Sequence, residues 1–458
     1  MINKMRLSSY VIPVNLEKEP DKCLLIHGYA GSIDIIDKDW LDVLLHNRIG
    51  DDMPFDKDVV ETLLRRGYLT TKTEVEEYEY VNRFAQLLHR KVKQERSAFT
   101  FVVTYDCNFR CPYCFERSLI SDKHKMCFTM EKVDQAYDAI QFIQPNNKLR
   151  VPRITLFGGE PLLKENREVV SYIVEKGKRL GFKFNAVTNG YDLDSYMDLL
   201  ALDSIDNLQI TIDGTEEVHN QKRIHSQGYP TFHKIVANIG KALERDIFIV
   251  VRFNTDKTNI NELYKLKKIF DDLGYTAHPK FTIDSARLID YNKEKDIGKN
   301  AFFTPKEFIS QHGKLGFEYG CHDFGAYNKI YRAIINQEPL RYKSIFCASQ
   351  AGGYVLDPLG NIYACWDVVG REKFIIGTYS AQSVQWNTEM RDKWQKNNVM
   401  QYEKCKTCKC ALLCGGGCTA HNMDKHRCNQ MLEIIKYASN RAYNNYKLKL
   451  IKNGIKKE

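Results

Sequence analysis

Apolar and polar positions change rhythm along this chain. Over residues 1–96 three short apolar runs, YVIPVNL, CLLIHG and SIDIID, predict strands, with turns at Glu17–Asp21 and Gly28–Gly31. Helical spacing follows in DKDWLDVLLHNR, with Asp37 or Asp39 near its cap, and in DKDVVETLLRRG, ended by Gly67. The charged stretch TKTEVEEYEYVNRFAQLLHRKVKQE predicts a third, longer helix. Three strands followed by three helices predict a winged-helix-like module at 1–96.

From Ala98 to about Asp284 strands and helices alternate. AFTFVVTY, RITLFGG, FKFNAVTNG, NLQITIDG, FIVVRFNT and HPKFTID read as strands, separated by helices at 129–144, 164–180, 192–203, 231–245 and 259–273. Such alternation predicts an α/β fold with a parallel sheet, and six repeats predict a curved, partial (β/α)6 barrel over 97–290. Residues 291–346 read as a less regular, charged bridging region. Residues 347–428 form a cysteine- and glycine-rich domain, and 429–458 a Lys-rich C-terminal helix.

The length of 458 residues predicts about three domains. No run of 18 apolar residues appears, so no membrane-spanning helix is expected, and the N-terminal stretch lacks a signal-peptide core. A cytoplasmic protein is expected. There 14 cysteines argue for metal or redox chemistry rather than disulfides. The net charge of +9 favours an acidic partner or serves solubility alone.

Candidate chemistry gathers where the predicted barrel strands end. Cys107, Cys111 and Cys114 follow the first strand as C-x3-C-x2-C, a soft-metal loop one ligand short of four. A structural zinc site would need a distant fourth donor. GGEP follows the second strand at Gly158–Pro161, and glycine lets the backbone approach a ligand closely. Thr188 and Asn189 end the third strand and Thr211 the fourth. The loop, with Tyr113 and Phe115 around its last cysteine, and GGEP together resemble the radical S-adenosylmethionine (radical SAM) enzymes. The resemblance implies a 4Fe–4S cluster on the three thiolates, with SAM chelating the iron they leave vacant. One electron then cleaves SAM to a hydrogen-abstracting 5′-deoxyadenosyl radical. It further implies SAM contacts at Gly158, Gly159, Glu160, Thr188, Asn189, Thr211 and Arg223.

Seven more cysteines run Cys347, Cys365, Cys405, Cys408, Cys414, Cys418 and Cys428. One zinc site cannot absorb them, although two could. Their order resembles the SPASM extension of radical SAM enzymes, which holds two auxiliary 4Fe–4S clusters and makes three in all. Carried over, Cys405, Cys408, Cys414 and Cys428 would ligate the distal cluster. Cys347, Cys365 and Cys418 would ligate the one nearer SAM. Fully ligated relatives have a further ligand six residues before the first cysteine, where this chain has Arg341. The nearer cluster is therefore expected to keep an open iron for a substrate thiolate, with Cys321 and Cys410 as rival ligands.

The acidic start of the third helix disfavours a phosphate-facing surface, so no nucleic-acid partner is expected. The N-terminal module is similar to the leader-recognition element of enzymes that modify ribosomally made peptides, where a peptide adds a strand to a sheet edge. The parts together resemble radical SAM/SPASM peptide maturases, and the absent ligand resembles those that form thioethers. Implied partners are a precursor peptide with a leader segment and a flavodoxin- or ferredoxin-type one-electron reductant. The competing expectations are carbon–carbon crosslinking, sulfatase-maturase-like side-chain oxidation, or a cluster-based redox sensor. Sulfatase maturases carry Asp directly after the cysteine matching Cys365, whereas here Trp366 intervenes before Asp367. No catalytic acid or base is assigned, with His219, Asp213 and Asp367 as candidates.

Overall fold

A computed structural model describes residues 5–46, 55–92, 96–116, 126–289, 301–316, 321–381, 383–423, 428 and 430–452. Near the N-terminus, β1 (Val11–Leu16), β2 (Glu19–His27) and β3 (Ile33–Asp37) form an antiparallel sheet in that order. Successive strand side chains point to opposite faces, and here both faces are covered. Val11, Cys23 and Leu25 pack with Leu41, Leu44 and Leu63 of the helices Lys38–His46 and Lys57–Arg65. Ile12, Val14, Leu24 and Ile26 pack with Ile435 and Ala438 of the C-terminal helix Met431–Lys452. The sheet is thus cemented to the far end of the chain. The third helix, Glu74–Val92, contributes a fully buried carboxylate. Glu77 accepts hydrogen bonds from Ser8 Oγ (2.6 Å), Tyr29 Oη (2.7 Å) and Ser9 N (3.0 Å), and pairs with Arg6 at 2.6 Å. Part of the acidity read as a surface property therefore serves the interior.

The larger sheet begins with β4 (Ser97–Thr104), β5 (Arg150–Gly158), β6 (Lys183–Thr188), β7 (Ile205–Thr211), β8 (Phe248–Thr255) and β9 (Phe281–Arg287). All six run parallel in sequence order, as the alternation predicts. Burial alternates along several of them, as in Lys183–Thr188 and Phe248–Thr255, so one face packs into the core and the other is only partly buried. Helices Met130–Ile143, Arg167–Arg179, Phe232–Glu244 and Glu262–Asp272 match the predicted intervals. The helix expected at 192–203 is instead a 3-10 stretch, Leu193–Leu199. Its buried Leu193 and Tyr196 are three apart, the repeat of that tighter helix.

Two features lie outside the predicted layout. Residues 291–346 contain regular helices at Pro305–Leu315 and Ala326–Asn336, while the boundary expected at 290–291 falls outside the described residues. Moreover, β10 (Gly353–Leu356) pairs parallel with β4, and β11 (Asn361–Tyr363), β12 (Gly377–Ser380) and β13 (Ser383–Trp386) follow antiparallel. The cysteine-rich region therefore extends the same sheet to ten strands. This continuity fixes Cys365, just after β11, relative to the ends of the parallel strands. No helix among the described residues is long and apolar enough to cross a membrane.

Candidate active site

The carboxyl ends of the parallel strands surround a cavity of about 300 Å³, at the lower end of the usual size for a small-molecule site. Cys107, Cys111 and Cys114 line it together with Gly158, Gly159, Glu160, Thr188, Asn189, Thr211 and Arg223. Every residue proposed from sequence for the first cluster and for SAM thus faces one space. The backbone N–H of Phe109 donates to Cys107 Sγ at 3.3 Å, an interaction suited to a thiolate. Burial raises the pKa of all three thiols, and crowding adds to it: the charges of Cys111 and Cys114 act on Cys107. A bound soft metal would remove that cost by taking the thiolates directly.

The two glycines are required first by the protein itself. A Cβ on Gly158 would sit 2.1 Å from the Thr104 carbonyl oxygen, and one on Gly159 would sit 2.4 Å from that of Asp106. Gly158 also has φ +126°, which side chains disfavour. The glycine pair lets the end of β5 fold against the end of β4, where Gly159 N–H donates to Thr104 O (3.0 Å) and Glu160 N–H to Asp106 O (2.8 Å).

Glu160 is buried and joins strand ends. Its carboxylate accepts from Leu162 N (2.9 Å), Thr188 Oγ1 (2.6 Å) and Asn189 N (2.5 Å). Burial pushes its pKa up to about 7 against these bonds, which pull it down. Thr188 and Asn189 are held in turn, since Asn189 Nδ2 donates to Asn108 Oδ1 inside the cysteine loop at 2.7 Å. On the opposite wall Arg223 Nη1 donates to Tyr113 Oη at 3.2 Å, and Tyr113 Oη donates to Asp213. Asp213 also accepts from Asn254 N at 2.9 Å. Of the acid–base candidates, Asp213 is thereby engaged in the wall. His219 is fully buried, accepts from Asp213 N at 3.3 Å and does not line the cavity. Asp367 does line it, next to Trp366, whose ring stacks on Phe157 at 5.2 Å.

Glu116 escaped the sequence reading although it ends the cysteine loop. It is buried, lines the cavity, and has its carboxyl pushed up to about 8 by burial and the nearby charge of Asp367. Its position two residues after Cys114 was the available signal.

The C-terminal thiols lie near one another in two overlapping sets. Cys347 precedes the turn Ala348–Gln350 and Cys418 precedes Thr419–Asn422, and the charges of Asp367, Cys347 and Cys418 act on the half-buried Cys365. Cys408, Cys414 and Cys428 act likewise on Cys405. Gly415 carries the turn after Cys414 close to the chain before Cys347, for its Cβ would lie 2.1 Å from Ile345 O. Cys410 hydrogen-bonds Cys408, pulling the Cys408 thiol down to about 6, and so belongs beside the second group. Cys321 packs with Ile330 and Ala438 in the core that also holds Cys410 and borders Cys408 and Cys414. Arg341 is exposed in the stretch leading to Cys347. Clustered thiols fit iron–sulfur groups at the second C-terminal group and at the first loop, where the carboxylate of Glu160 is already engaged by Leu162, Thr188 and Asn189. The Cys347 group fits one through three thiols.

A family described as 4Fe-4S single cluster domain matches residues 96–231. The cysteine-type anaerobic sulfatase-maturating enzyme of Clostridium perfringens (strain ATCC 13124) is 24% identical over 363 residues, covering 74% of this chain and 95% of the relative. The radical SAM cyclopropyl synthase TigE of Paramaledivibacter caminithermalis is 22% identical over 502 aligned positions, covering 99% of this chain and 96% of that protein. Among solved structures, native anSMEcpe with bound AdoMet and Cp18Cys peptide matches in fold with TM-score 0.56 at 17% identity, over 78% of this chain and 99% of that one. The cysteine loop and these likenesses make the chain similar to radical SAM maturases, and the solved structure matches it in fold.

Proposed function

We propose that this chain is a peptide maturase that joins a cysteine sulfur to a carbon of a ribosomally made precursor peptide. One observation carries the reading: a three-thiol group, with Arg341 where a further thiol would stand, lies next to the cavity of the Cys107 loop, from which Asp367 reaches toward it. When bound, SAM and three 4Fe–4S clusters supply a hydrogen-abstracting radical and a path for the surplus electron. Cys107, Cys111 and Cys114 hold the first cluster, and Gly158, Gly159, Glu160, Thr188, Asn189, Thr211 and Arg223 shape the SAM side. Glu160 keeps the strand ends together while the Asp213–Tyr113–Arg223 wall excludes water. Cys347, Cys365 and Cys418 bring the substrate sulfur near the reacting carbon, and this proximity is the main contribution of the protein. The 1–96 module grips the leader segment, with β3 as the free sheet edge that takes an added strand. A flavodoxin- or ferredoxin-type protein in the cytoplasm delivers the electron.

The full-length likeness to a cyclopropyl synthase favours a second reading, carbon–carbon bond formation. Mass spectrometry separates the two. The cysteine-containing peptide encoded by a neighbouring small open reading frame is reacted anaerobically with SAM and reductant. Loss of a hydrogen pair per crosslink, with the cysteine closed to alkylation, is expected. The same mass loss with a freely alkylated thiol would reject the thioether.

A further inference from the structure

Two lysines stand where the two sets of C-terminal thiols meet. The stretch before Cys347 is laid against the turn that carries Cys414. Lys343 N–H donates to Leu412 O at 2.8 Å, and a Cβ on Gly415 would lie 2.1 Å from Ile345 O. Lys343 Nζ turns toward Cys347, donating to Phe346 O at 3.1 Å and lying 5.0 Å from the centre of the Phe346 ring. The amine is thus bonded to the residue before Cys347, on a segment that is itself bonded to the Cys414 turn. Lys329, on the helix Ala326–Asn336, lines a small cleft with Phe324 and Leu413, and Phe324 packs on Phe346 at 5.0 Å. Burial and the charge of Lys329 push the half-buried Lys343 amine down to about 8, while Cys414 and Cys347 draw it up. Asp323 and Cys414 act on Lys329 in that same upward sense. Two like charges withdrawn from water are costly unless anions offset them. For Lys343 those anions are thiols, one from each set, rather than a carboxylate.

We propose that the Lys343 ammonium is the shared counter-charge of the two C-terminal iron–sulfur groups and sets how readily they accept an electron. Lys329 adds to the same field at Cys414. This rests on the three-cluster reading above. A cluster on thiolates gains one negative charge on one-electron reduction, and a fixed ammonium nearby favours that form. Lysine suits the task because its ammonium is a compact point charge. The bond to Phe346 O and the Phe346 ring hold that charge in place beside Cys347. The surplus electron of crosslinking is thereby favoured on the C-terminal side of the molecule.

The test is a redox titration of the full chain, reconstituted anaerobically with iron and sulfide and followed by electron paramagnetic resonance. A variant with Cys107, Cys111 and Cys114 replaced by alanine identifies the signals of the C-terminal groups. Lys343→Met should make reduction of at least one of them about tenfold less favourable, a midpoint about 59 mV more negative for one electron. Lys343→Arg, which keeps the charge, should stay near the parent, and both should hold about twelve irons, four per cluster. Lys329→Met should shift the midpoint in the same direction, and it covers the case in which Lys343→Met loses iron. An unchanged midpoint in every methionine variant that keeps its iron would overturn the counter-charge and leave the three-cluster reading intact. An equal shift in Lys343→Met and Lys343→Arg would do the same. A parent chain holding about four irons would overturn both.

Discussion

Replacing Cys107, Cys111 and Cys114 together by alanine is expected to abolish SAM cleavage, lowering 5′-deoxyadenosine formation by at least about a thousandfold, or about 4 kcal/mol. These are the three thiols on one wall of the cavity, and the described lining offers no other thiol there. The substitution is small, and only Cys111 of the three is fully buried. The fold should survive, because most of the core is built from strands β4–β9 and their helices, to which the loop adds mainly Phe109 and Cys111. Retained circular dichroism, with about eight irons still bound at the two C-terminal groups, would separate loss of the site from loss of the protein. Undiminished 5′-deoxyadenosine would show that the loop is not where SAM is cleaved.

Cys365→Ala combined with Cys418→Ala should uncouple the reaction. Crosslinked peptide is expected to fall at least about a hundredfold, close to 3 kcal/mol, while 5′-deoxyadenosine formation stays within about tenfold of the parent. The physical basis is the proposed separation of parts: Cys347 and Cys418 act on Cys365, whereas the proposed site of SAM cleavage is the cavity wall that carries Cys107. Both products are read by mass spectrometry of one anaerobic mixture. Equal loss of the two would indicate that the C-terminal group is needed to build the cavity itself. That outcome is physically reasonable to look for, because β10 pairs directly with β4 and Trp366 stacks on Phe157.

Much of this arrangement was legible in the sequence. Buried parallel strands leave apolar runs, so β4–β9 could be read within a few residues. Metal-ligand spacing is local, so the cysteine loop could be read as well. What escaped depends on distance along the chain. The strand Gly353–Leu356 is four residues long and earns its place only by pairing with β4, some 250 positions earlier. Helix Pro305–Leu315 did have a local signal, since Thr304 and Glu307 form a capping box with Pro305 between them. The charged surroundings masked it. The double glycine was visible, but its first duty, clearing the carbonyls of Thr104 and Asp106, required the neighbouring strand.

The central claim is that the radical made in this cavity takes hydrogen from a peptide carbon. Transfer of label tests it most directly. The neighbouring-gene peptide, deuterated at carbon, is incubated anaerobically with the enzyme, reductant and unlabelled SAM, and the 5′-deoxyadenosine is analysed by mass spectrometry. Deuterium from the peptide appearing in 5′-deoxyadenosine, in step with peptide modification, is the predicted result. Modified peptide accompanied by 5′-deoxyadenosine that carries no deuterium would contradict it.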